Sequence, residues 1–304
     1  MKKLSFNFAA LCGSALLLGT MVTLSSCSDA EEVMNPSNQF SGPCAPITVH
    51  VSDFCVSQEG FSDSPTRAAV NPASTDVDEI ILAFYSGSTE VCKLTQLKST
   101  ATNFGEFSCT LPLGSYTMIV IARDDNSGDA FTLTSATEAS YTSERVRETF
   151  TATQAVTVSS TDAQDLSMTL DRVVTELRIQ STDTRPSGVS KIRTTFGAGS
   201  KSFNPSSGLA VGNTGFITTN TPSAEVGEIV RISSFTFLAT DEQTMDITLE
   251  VMDTNDQVLF TKVVSDVPFK RNRRTLLRGP LFTATATSTF TIETSWLDDV
   301  VVNF

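Results

Sequence analysis

Histidine occurs once in the 304 residues, as His50, and tryptophan once, as Trp296; there are three tyrosines, and only 18% of the residues are charged. One histidine excludes His-rich metal sites and leaves a Ser/His/Asp triad only His50 to build on. The chain has no G-x-S-x-G to present the serine. No C-x-x-C pair is present either, which removes zinc ribbons and dithiol redox motifs. Basic residues are scarce, 21 against 34 acidic, and a net charge of −13 argues against nucleic acid as a partner. Asp124–Asp129 has the composition of a calcium loop, but its glycine is out of register and no glutamate stands at the bidentate position. We therefore expect no catalytic residue, no metal and no cofactor.

What the chain does have is β pattern. Ile47, Val49 and Val51 alternate with Thr48, His50 and Ser52, so one face of this first strand is apolar. Glu79–Tyr85 and Tyr116–Ala122 are continuous apolar runs, as expected for strands covered on both faces. Further strands are predicted at 155–158, 166–170, 175–180, 229–238 and 245–251, with one short strand near 215–219. Thr254–Gln257 turns the chain into Val258–Val264 as a hairpin. A short helix around Thr142–Glu148, capped by Ser143, is the one helical signal. This pattern predicts an all-β fold of tandem β-sandwiches, residues 45–164 and 165–304.

The first 26 residues read as an export signal: Lys2 and Lys3, then an apolar run from Ala9 to Val22 too short and interrupted to span a bilayer. Leu24-Ser25-Ser26-Cys27 looks like a bacterial lipobox, which makes Cys27 the lipidation site. Cleavage there leaves 278 residues and takes away Lys2 and Lys3, so the net charge goes from −13 to −15. Ser28–Glu32 resembles the acidic signal that sends Bacteroidetes lipoproteins to the outer face of the outer membrane. Residues 27–44 are then a lipidated tether.

Four cysteines remain: Cys44, Cys55, Cys92 and Cys109. An oxidising compartment permits disulfides. Cys92 and Cys109 flank a predicted hairpin, Val91–Leu97 and Phe104–Leu111, and form the candidate pair. Cys44 and Cys55 lie around one predicted strand and could meet only across a bend. The pairing of the four stays open at this stage.

Four segments carry a family resemblance. Asp165–Ile179 (DLSMTLDRVVTELRI), Val267–Phe282 (VPFKRNRRTLLRGPLF), Leu111–Ile121 (LPLGSYTMIVI) and Ile47–Ala68 (ITVHVSDFCVSQEGFSDSPTRA) resemble, in consistent order, segments of the Bacteroidales fimbrillin lipoproteins. The resemblance implies two transthyretin-like β-sandwich domains and a structural role, supporting adhesion, in fimbriae at the surface of the outer membrane. The implied partners are other fimbrial subunits, the membrane through the lipid anchor, and host or bacterial surface ligands. It further implies assembly by strand addition: Ile47, Val49 and Val51 fill a groove until cleavage between Arg67 and Ala68 releases them. Uncut, Arg67 sits in a loop and the first strand stays as core. Val300, Val302 and Phe304 are the candidate donor strand; the other reading is an ordinary last strand. The rival function is an outer-membrane glycan-binding lipoprotein, for which Trp296, Tyr85, Tyr116 and Tyr141 are the only tryptophan and tyrosine platforms.

Overall fold

The computed structural model describes residues 40–58, 66–70, 77–125, 130–283 and 290–294, with no side-chain placement for 52–58, 66–70, 293 and 294. Cys27, the signal 1–26, residues 27–39 of the tether, Trp296, Val300, Val302 and Phe304 lie outside the described residues.

The described chain is all-β, with no helix. The strands of its first part are β1 (Cys44–Gln58), β2 (Thr66–Val70), β3 (Glu79–Ser86), β4 (Thr89–Leu97), β5 (Glu106–Pro112), β6 (Gly114–Arg123), β7 (Phe131–Ser135), β8 (Glu138–Tyr141), β9 (Thr149–Val158) and β10 (Gln164–Arg172). They are followed by β11 (Val174–Thr184), β12 (Lys191–Phe196), β13 (Ser202–Phe203), β14 (Phe216–Asn220), β15 (Ile229–Phe237), β16 (Glu242–Met252), β17 (Val258–Lys270), β18 (Arg274–Gly279) and β19 (Thr291–Thr294).

An eight-stranded sheet runs β2-β1-β10-β9-β6-β3-β4, with β5 also on β1. Its two flanks meet at a corner where β10 and β9 pair only at Asp171↔Thr151 and Arg172↔Phe150. The β5-β1-β10 flank and the β9-β6-β3-β4 flank fill one apolar core between them. Ile47, Val49, Val51, Leu111 and Leu170 come from the first, and Ile80, Leu82, Phe84, Val120 and Phe150 from the second. Arg172 closes the corner, its guanidinium over the Phe150 ring at 5.0 Å and ion-paired with Glu148. The strand β10, which the sequence reading gave to the second domain, belongs to this first sheet.

Later strands form two four-stranded sheets, β15-β11-β18-β19 and β14-β12-β16-β17, around a second core that includes Leu177, Ile192, Phe196, Leu249 and Leu277. The turn from β16 to β17 is held by Asp253, whose carboxylate accepts from the amides of Asn255 and Gln257 at 2.8 and 2.9 Å. A small sheet, β13-β8-β7, covers a third core shared by both parts of the chain. Here the continuous apolar runs find their reason. Ile81, Ala83 and Tyr85 of β3 and Ile119 and Ile121 of β6 face this third core, while their neighbours in sequence face the first.

Two expectations are corrected. Thr142–Glu148 is not helical, because tertiary partners take the groups a helix would use. Lys201 Nζ donates to the Ser143 carbonyl at 2.7 Å, Ser143 Oγ donates to the Arg145 carbonyl at 3.2 Å, and Val146 is buried in the third core. The arms of the predicted 91–97/104–111 hairpin are strands, but they do not ladder to each other: β4 pairs with β3, and β5 with β1. Residues 98–105 carry the chain from one flank of the core to the other.

Tyr141 gives a pH prediction. It is buried, and its hydroxyl donates to Thr149 Oγ1 at 2.9 Å, that hydroxyl in turn donating to the Arg147 carbonyl. Burial pushes the Tyr141 hydroxyl above the ordinary value of 10.0. The folded state therefore holds this proton more tightly than the unfolded chain does. Its contribution is complete below about pH 10 and is lost as pH rises through the folded value. Urea melts from about pH 8 to 11 are expected to show falling stability above pH 10, with a shallower fall in Tyr141→Phe.

Candidate functional site

The site begins with β1. Parallel ladder pairing joins Ile47–Val51 to Gln164–Met168 and, past a shift after Val51, Asp53–Cys55 to Thr169–Asp171 of β10. On its other edge β1 runs antiparallel to β5, from Cys44↔Pro112 to His50↔Glu106, and then to β2, from Phe54↔Val70 to Gln58↔Thr66. Ile47, Val49 and Val51 are 1%, 0% and 4% exposed and face the first core. The structure brings these three predicted residues together as one buried stripe, as their period-two spacing requires.

Strand β5 is held chiefly through β1: among the described residues its only ladder partner is that strand. Taking β1 away would leave the facing edges of β5 and β10 without partners across a gap about one strand wide, roughly 9–10 Å between neighbours. Such a gap presents unpaired amides and carbonyls above an apolar floor, a template for one added strand.

Arg67 and Ala68 stand on β2, with Ser57 and Val56 of β1 as register partners. The alternative reading of Arg67 as a loop residue is thereby replaced by an extended edge segment, laddered on one side only among the described residues. Cys44 and Cys55 are both on β1. Eleven residue steps along the strand separate them by ~36 Å, far beyond the ~7 Å limit for a bridge, so they do not pair with each other within one chain. Cys92 and Cys109 are both buried in the first core.

His50 is half-buried on β1, and no cluster of three or more potential metal ligands occurs among the described residues. Tyr85, Tyr116 and Tyr141 are all buried. The Tyr116 hydroxyl donates to the Pro112 carbonyl at 2.8 Å, closing the tight connection from β5 to β6.

The sequence reading missed the buried charge centres. Arg123 is ion-paired with Glu79 and with Asp125 at 2.6 Å, and lies 5.2 Å from the Phe131 ring centre. Glu176, 3% exposed, accepts from Arg274 Nε at 2.7 Å, Ser233 Oγ at 2.6 Å and Arg178 Nε at 3.2 Å. In the basic run 270–278 Arg274 is paired in this way, while nearer the surface Lys270 pairs with Glu242 and Arg271 with Asp241 at 2.9 and 2.8 Å. Pairing of this basic cluster with the acidic excess is the reading its composition favours; the partners Glu176, Asp241 and Glu242 come from the structure.

Comparison with solved structures finds the fold among candidate adhesins and fimbrial proteins. A candidate adhesin of Bacteroides ovatus is 11% identical, with a TM-score of 0.52 over 85% of this chain and 97% of that one. The fimbrial anchor protein Mfa2 of Porphyromonas gingivalis is 12% identical, with a TM-score of 0.48 over 83% of this chain and 98% of that one. The tip fimbrial protein Mfa3 of the same organism, truncated at its C-terminus, is 9% identical, with a TM-score of 0.40 over 83% and 99%. At these identities the likeness is one of fold. No curated protein matches the sequence. A family model does match, over residues 52–303, and the chain belongs to that family, DUF6562, a family of unknown function.

Proposed function

We propose that this chain is a structural subunit of cell-surface fimbriae, exported as a lipoprotein through Cys27 to the outer face of the outer membrane and assembled by β-strand addition. The observation that carries the reading is β1: a fully buried apolar stripe, laddered on both edges and followed by Arg67 on the one-sided strand β2. Extended edge segments suit proteases, which bind substrates as strands. Cleavage after Arg67 frees β1, and a strand from the next subunit fills the gap through main-chain hydrogen bonds and alternate apolar side chains. Val300, Val302 and Phe304 are the proposed donor. A fold shared with a candidate adhesin supports an adhesive role toward host or bacterial surfaces, and no catalysis is proposed. We place the join between the two domains at Val173, between β10 of the first sheet and β11 of the next, since Met168 and Leu170 fill the first core.

The glycan-binding alternative loses its three tyrosine platforms, which are all buried, while Trp296 lies outside the described residues. Unheated surface extracts are expected to show a gel ladder in steps of one subunit that collapses on boiling. A single monomer band before heating would overturn strand addition.

A further inference from the structure

Strands β4 and β5 follow each other in the chain, yet their backbones do not pair: β4 ladders to β3 and β5 to β1. The seam between them is closed by side chains. At one end the Gly105 amide donates to Gln96 Oε1 at 2.9 Å, and Gln96 Nε2 donates to the Glu106 carbonyl at 2.6 Å. Four residues before Gln96 on β4 is Cys92; four residues after Gly105, along β5, is Cys109. Equal even steps in opposite directions keep the two side chains on matching faces. Both thiols are buried in the first core, close enough to act on each other's ionisation.

We propose that Cys92 and Cys109 form a disulfide in the exported protein, a staple that ties β5 to β4 across this seam. The chemistry is exchange with an external disulfide oxidant. Either cysteine can supply the attacking thiolate; with Cys92 first, the exchange runs in two steps. The Cys92 thiolate attacks one oxidant sulfur, the oxidant S–S bond breaks, and one oxidant thiolate leaves. Cys109, once deprotonated, attacks the Cys92 sulfur of the mixed disulfide and expels the second. The cysteines lose two electrons, and their two protons end on the two oxidant thiols. Because both sulfurs are buried, the exchange occurs while the β4 edge is still open during folding.

The staple has a role that rests on the strand-exchange reading. When β1 departs, β5 loses its only ladder partner among the described residues. Gln96 and the disulfide then keep this wall of the groove in place, so the gap stays shaped for an incoming strand.

The test uses the full chain, with its own signal, purified from the cell envelope. Free thiols are blocked with N-ethylmaleimide under acid quench, a chymotryptic digest is mapped without reduction, and the N-terminus is read from the intact mass. Linked Cys92 and Cys109 peptides are the expected result; both cysteines carrying maleimide would overturn the staple. The paired substitution C92S/C109S should lower the melting midpoint by roughly 6–12 °C, and an unchanged midpoint counts against a closed bridge in the parent. Linked cysteines on a chain beginning at Cys27 leave the staple standing and sink the exchange reading. Alkylated cysteines on a chain beginning at Ala68 do the reverse.

Discussion

Phe237→Ala is expected to cost ~3–5 kcal/mol of stability and to separate the unfolding of the two parts of the chain. Phe237 is fully buried at the end of β15, stacked on Phe203 at 4.4 Å and on Tyr141 at 6.3 Å between ring centres. Tyr141 belongs to β8 and packs with Phe131 at 4.9 Å, so a continuous aromatic stack joins β15 to the small β13-β8-β7 sheet. Ile81, Ala83, Ile119 and Ile121 of the first sheet close the same core. Removing the ring opens a cavity bordered by both parts of the chain. The main-chain bridge between Ser200 and Phe237 survives the substitution, which confines the loss to packing. Calorimetry of the parent should show one transition, and the variant a lower and broader one resolvable into two.

Glu176→Ala is expected to cost roughly 3 kcal/mol, at the lower end for a broken buried pair because Arg178 and Arg274 keep some contact with water. Glu176 is buried near the start of β11, and its two oxygens hold Arg178, Ser233 and Arg274. The variant leaves the Arg178 and Arg274 guanidinium groups without that carboxylate, beside the parallel pairing of β11 with β18. Glu176→Gln retains an acceptor and should lose less. Urea midpoints measured side by side check the order, and equal losses would show that charge contributes nothing there.

The legible part of this fold was what repeats every two residues. Ile47, Val49 and Val51 announced a half-buried strand, and the unbroken runs in β3 and β6 announced strands covered on both faces. Partners were another matter. Period-two alternation says which way a side chain points, but nothing about which strand lies alongside. The parallel pairing of β1 with β10 joins residues more than a hundred positions apart, with no turn to mark it. The β4–β5 seam misled for the converse reason: adjacency in sequence suggested a ladder, whereas β5 crosses to β1. Glu176 was invisible because Arg274 and Ser233, which make its burial tolerable, come from distant strands. The chemistry of Arg67 was readable as a residue type, but its place on an edge strand against β1 was not.

On the proposed function, β1 is a strand built to be replaced. The most direct measurement is the intact mass of the protein released from the cell surface in its assembled form. A chain beginning at Ala68, with β1 gone and the subunit still folded in heat-labile polymers, is the predicted result. Assembled protein whose every subunit begins at lipid-modified Cys27 and retains Ile47, Val49 and Val51 would contradict it.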